Sequence, residues 1–169
     1  EMDKLDKAID VLLSEEEEPL FSNPLVFDDA WLDEHIDGTW TRKDDGTIDV
    51  VGNVYLPSAN LKEIPFQFGE VTGEFSCSMN RLTSLKGSPR KVGGSFYCTR
   101  NDITSLEGGP EWVDESYFCD ANEDLYSLKG APKHVGVFFR SSRYTDDQYR
   151  KYAERVYGKE MVDAKWMPK

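Results

Sequence analysis

Three cysteines, Cys77, Cys98 and Cys119, are the residues best suited to chemistry, and they stand 21 positions apart. A thiol can hold a metal, cycle through a disulfide or act as a nucleophile. Each of those uses needs a second group at a characteristic spacing. An odd number of cysteines without a C-x-x-C pair supports neither a disulfide framework nor a zinc site. The expectation is three buried structural thiols, since a thiol packs well as a small apolar side chain. The two histidines, His35 and His134, have no neighbours in sequence that suggest a triad or a metal pair. No phosphate-binding or dinucleotide-binding glycine pattern is present. The sequence therefore offers no catalytic residue, no metal ligand set and no cofactor motif. It reads as non-enzymatic.

The cysteine spacing belongs to a longer pattern. FSCSMNRLTSLKGSPRKV (75–92), FYCTRNDITSLEGGPEWV (96–113) and YFCDANEDLYSLKGAPKHV (117–135) are copies of one unit. The third copy carries one extra residue near Glu123–Asp124. A degenerate earlier copy runs through Val54, Leu56, Ala59, Leu61, Ile64 and Val71, and a later one through Phe139, Ser141 and Tyr144. Alternation in F-x-C predicts one short strand per repeat with both side chains inward. Asn80, Asn101 and Asn122, stacked in successive coils, can satisfy buried backbone groups of their neighbours. The G-x-P that follows forbids a helix and turns the chain back. The predicted fold is a β-solenoid with helical caps, a single parallel sheet of about five coils over residues 53–144.

The unit's front half, F-x-C-x-x-N-x-L, has the spacing of L-x-L-x-x-N-x-L in leucine-rich repeats. Across about residues 40–160 the chain resembles the leucine-rich-repeat-like proteins of tailed bacteriophages and some bacteria. That resemblance implies a solenoid and a phage origin, and it carries no catalytic motif. Ala59 and Tyr144 depart from it at the Asn position, which marks the ends of the ladder.

Coils bury their apolar faces only against neighbours, so both ends need covers. Thr145-Asp146-Asp147-Gln148 is a capping box opening a helix, with Tyr149, Tyr152, Ala153, Val156 and Tyr157 at helical spacing and Gly158 at its stop. That helix and its tail form a C-terminal cap over 145–169. On the other side, residues 20–52 make an N-terminal cap. A short helix over 28–38 has an Asp N-cap and ends at Gly38, and a hairpin over 40–51 turns at Asp45-Gly46. Residues 1–19 form an acidic segment with an amphipathic helix whose face is Leu5, Ala8, Ile9, Leu12 and Leu13. Of these, Leu5, Ile9, Leu12 and Leu13 are a second candidate partner surface.

Charge is distributed unevenly. Residues 1–50 hold 16 Asp/Glu against 4 Lys/Arg, which accounts for the whole net charge of −12. The rest of the chain sums to zero. No apolar run reaches the ~20 residues that a membrane helix needs. Met2 behind Glu1 reads as the natural start without a leader, and the expected compartment is the cytoplasm, the host's if the protein is phage-encoded.

The outward strand positions form the expected binding face, the concave one in solenoids. Their first column is Tyr55, Ser76, Tyr97, Phe118 and Arg140. Met79, Arg100 and Arg143 stand in a neighbouring column. Exposed aromatics with arginines are the composition of protein-binding hot spots. Zero net charge over the repeats argues against nucleic acid. The expected partner is a protein, in the first reading a host protein that is bound and inhibited. Two alternatives stand beside it. One is nucleic-acid mimicry by the acidic N-terminal region, and the other is a structural or assembly role in a virion.

Overall fold

Residues 25–163 are described by the computed structural model. The chain opens with helix α1 (Asp29–His35) and strands β1 (Ile36–Arg42) and β2 (Ile48–Tyr55). Eight short strands follow: β3 (Phe68–Val71), β4 (Phe75–Ser76), β5 (Lys91–Val92), β6 (Phe96–Tyr97), β7 (Trp112–Val113), β8 (Tyr117–Phe118), β9 (His134–Val135) and β10 (Phe139–Arg140). Helices α2 (Asp146–Tyr157) and α3 (Lys159–Asp163) close the described part. The architecture is a parallel β-solenoid with helices at its ends. The expected face Leu5, Ile9, Leu12 and Leu13 lies outside the described residues.

Strand β2 organises the sheet. Along one edge it pairs antiparallel with β1, from Ile36↔Val54 to Arg42↔Ile48. Along the other it starts two parallel ladders. One runs Val54, Phe75, Phe96, Tyr117, Phe139 through β4, β6, β8 and β10. The other runs Val50, Val71, Val92, Val113, Val135 through β3, β5, β7 and β9. Four turns of chain after β2 thus carry five rungs in each ladder.

One strand per repeat was expected, and the structure shows two. The missed strand precedes a four-residue step to the next aromatic, as in Val92-Gly93-Gly94-Ser95-Phe96. It is two residues long in β5, β7 and β9. Two residues cannot display an alternation, so periodicity alone does not reveal it.

Between the faces runs a line of aromatic rings. Phe68 meets Phe75 at 5.2 Å, Phe75 stacks on Phe96 at 5.7 Å, and Phe96 meets Tyr117 at 4.9 Å. Tyr117 stacks on Phe139 at 5.3 Å, and Phe139 on Tyr149 of α2 at 4.8 Å. Tyr149 is therefore a sixth ring supplied by the cap. Leu82, Leu85, Ile103, Leu106, Leu125 and Leu128 close the far side of the core. The extra residue of the third copy is absorbed in a turn where Leu125 N–H donates to Asn122 O at 3.2 Å.

The asparagine ladder forms as the spacing predicts. Asn101 Oδ1 accepts from Leu82 N–H at 3.0 Å, and its amide donates to Cys77 O at 3.1 Å and Cys98 O at 3.2 Å. Asn122 repeats this one coil on, accepting from Asn101 N–H and donating to Cys98 O and Cys119 O. Where Tyr144 ends the series, Ser142 Oγ takes over by accepting from Ala121 N–H at 2.8 Å.

The capping box at Thr145 and Gln148 is present, and Gly158 ends α2 with φ +87°. Two details of the caps differ from expectation. The chain resumes as α3 after Gly158, because Val162 finds a buried seat beside the last coil. And α1 stops at His35, so Gly38 is not its terminator. Gly38 lies within β1 opposite Gly52 of β2, both at positive φ. A Cβ on Gly38 would stand 2.1 Å from Val51 O, so close backbone approach is what demands glycine there.

Candidate functional site

The outward face of the strands is built by the same register that packs the inside. In each F-x-C unit the middle residue points away from the core. Pairing therefore aligns Tyr55, Ser76, Tyr97, Phe118 and Arg140 in one column. Tyr97 and Phe118 stack at 4.8 Å with their planes 4° apart. Phe138, 39% exposed, meets the edge of Phe118 at 5.3 Å. Val137 beside it is 58% exposed. The result is a continuous apolar strip over the last coils.

Sequence reading missed Phe138 and Val137. In HVGVFF one phenylalanine had to face inward, and Phe139 took that role; the outward neighbour was then the overlooked half of the pair.

At the other end of the column the character changes. Tyr55 and Tyr97 both donate their phenol hydrogens to Glu74, at 3.2 and 3.4 Å. Both phenols are held above the ordinary tyrosine range. Burial is the leading cause in each, and the Glu74 carboxylate adds to it. Glu74 was not a sequence candidate, because it occupies the column before the inward aromatic, where the other coils carry Ser95, Ser116 and Phe138.

The expected arginines lie on the same face but not free beside the aromatics. Arg140 pairs with Asp120 at 3.1 Å, and Arg143 lies over the exposed Tyr126 ring at 4.4 Å. Arg100 and Met79 occupy the turn after the strand. There they and Ala121 adopt left-handed backbone, with φ 55°, 57° and 53°. The structure thus brings Tyr55, Tyr97, Phe118 and Arg140 into one column, and places Met79, Arg100 and Arg143 on the adjoining turns.

The thiols are all inside. Cys77, Cys98 and Cys119 are buried at 0–1% exposure. Burial drives the Cys77 and Cys98 thiols well above their ordinary range, which keeps them protonated. His134 stacks on Trp112 at 4.2 Å, and its Nδ1 lies 2.7 Å from Val162 O, so it serves the C-terminal cap. His35 does the same at the other end, stacked on Trp31.

Neither family models, nor curated proteins, nor solved structures give any match to this chain. Among the described residues no group of three or more His, Cys, Asp or Glu converges as a metal site would. None of their helices is long and apolar enough to cross a membrane.

Proposed function

We propose that this protein is a non-enzymatic binding module that holds another protein on the outward face of its strands. The observation that carries this is the strip Tyr97–Phe118–Phe138, three adjoining rings on the outward side, Phe138 exposed and the other two half-buried, over strands whose inner side is fully packed. Rigid aromatics on a rigid sheet lose little entropy on binding, which is why such residues anchor interfaces. The repeat's resemblance to phage leucine-rich-repeat-like proteins supports a phage-encoded inhibitor acting on a bacterial host protein.

The test is capture from bacterial lysate, read by mass spectrometry, with the native chain beside Tyr97→Ala/Phe118→Ala. Truncating two central anchors costs about 2 kcal/mol or more each, so a specific partner should be lost from the variant. Both side chains face outward, so circular dichroism should show an unchanged fold. Equal capture by the two proteins would sink the reading.

A second reading is nucleic-acid mimicry, favoured by the charge of −12 carried within residues 1–50. Salt separates the two. A mimic's affinity should fall steeply between low and physiological ionic strength, while an aromatic-anchored contact should hold.

A further inference from the structure

We propose that the gap over Ser76, between Tyr55 and Tyr97, is a seat for an arginine guanidinium of a partner protein. This rests on the reading that the strand face binds a protein, and it names the chemistry that one part of that face selects.

Register sets the gap. Tyr55, Ser76 and Tyr97 are successive members of one column. Rungs are about 4.8 Å apart, so the two tyrosines rise roughly 10 Å from each other, with only the hydroxymethyl group of Ser76 between them in the column and the Glu74 carboxylate bridging their phenol ends. The next pair in the column shows what a planar group occupies here, since Tyr97 and Phe118 are parallel at 4.8 Å. One face of the Tyr97 ring is covered by Phe118. The other looks across Ser76 toward Tyr55, which is 44% exposed. At one ring per rung, the rung of Ser76 has room for one flat group.

Charge selects the occupant. Glu74 spans the gap, and its hydrogen bonds from the column come from two neutral phenols. Asp37 near Tyr55 and Glu115 near Tyr97 add to the negative field. Residues 25–75 hold 11 Asp/Glu and 3 Lys/Arg, a net −8, whereas residues 126–163 hold 5 and 8, a net +3. An anion is repelled from this end of the molecule. A cation over tyrosine rings is attracted by their π-faces. Among cations, guanidinium is flat, stacks on both sides and offers a fork of donors to one carboxylate, which an ammonium cannot do.

The experiment titrates the full chain with the capped tripeptide Gly-Arg-Gly, following backbone amides by NMR, with Gly-Lys-Gly and Gly-Glu-Gly as comparisons. The arginine peptide should shift Glu74 to Cys77 saturably, the lysine peptide should bind more weakly, and the glutamate peptide should not bind. Glu74→Gln should weaken the arginine peptide by about fivefold, the value of one charge-assisted hydrogen bond over a neutral one. Ser76→Tyr fills the gap and should abolish binding with the spectrum otherwise native. Lack of shifts in the native chain, equal shifts by the lysine peptide, or binding that survives both substitutions would each overturn the seat. Partner capture distinguishes this from the broader reading. Loss in Tyr97→Ala/Phe118→Ala with retention in Ser76→Tyr removes the seat and leaves the face, and retention in both removes the face.

Discussion

Asn101 and Tyr117 sit one coil apart in the same core and show the two fates of a buried polar group. Asn101 joins two neighbouring coils through its one side chain, bonding Leu82 N–H and Cys77 O of one and Cys98 O of its own. Its burial is compensated. Tyr117 is not. It stands where the neighbouring coils carry Phe96 and Phe139, and it is fully buried. Its hydroxyl makes no hydrogen bond of normal geometry, and the Cys98 thiol beside it is only a weak acceptor. Tyr117→Phe removes a desolvated hydroxyl and keeps the ring stack. It should stabilise the protein by about 1 kcal/mol, since an unmade buried hydrogen bond costs roughly that much or more. Urea unfolding gives the value, and a lower midpoint in the variant would show that the hydroxyl has a bound partner such as a water.

At the scale of elements, the last strand poses the sharper problem, because β10 exposes an unpaired edge. Helix α2 covers it by imitating a strand with side chains. Asp146 Oδ1 accepts from Phe139 N–H at 2.7 Å, and Arg150 donates to Val137 O at 2.9 Å and to Val135 O at 3.5 Å. The two side chains are themselves paired at 2.7 Å, so donor and acceptor are held at the spacing the edge requires. Arg150→Ala leaves both carbonyls and a carboxylate without this partner. It should cost about 1–2 kcal/mol and open the edge to self-association. Chemical unfolding with sedimentation velocity checks both effects; an unchanged midpoint and a strict monomer would mean that Tyr149 alone seals the end. Legibility in the sequence follows the same division. The coils were readable because Phe75, Phe96 and Tyr117, with their cysteines and asparagines, recur at a fixed interval. The cap was readable as a helix from Thr145 and Gln148. Arg150's role was not, because its partners are main-chain carbonyls that leave no trace in residue type. The candidate site was half readable for a related reason. Tyr55, Tyr97 and Phe118 follow from alternation, while Glu74 and Phe138 emerge only once the preceding corner is seen to be a strand boundary.

The whole molecule is a stack whose weakest condition is alkaline. Cys77, Cys98, Tyr117 and Tyr149 lie along one axis, and burial raises the pKa of every one of them. Each is held in its protonated form by the fold and released to ionise when the chain opens. Below the unfolded thiol pKa of about 8.5 the two states bind the same protons at these cysteines, and stability is whole. Above it the unfolded chain holds fewer protons than the folded one, so stability falls as pH rises. The two thiols act in the same direction, and the tyrosines add to the fall above about pH 10. Neighbouring coils support one another, so the loss should appear as one cooperative transition rather than as fraying from an end. Thermal melts from pH 8 to 10.5 should show the midpoint dropping steeply in the native chain. Cys77→Ala/Cys98→Ala starts lower, because two core atoms are gone, but its midpoint should stay nearly flat until the tyrosines ionise. Parallel curves for the two proteins would show that the alkaline weakness comes from the surface charge and not from the thiols at the centre of the stack.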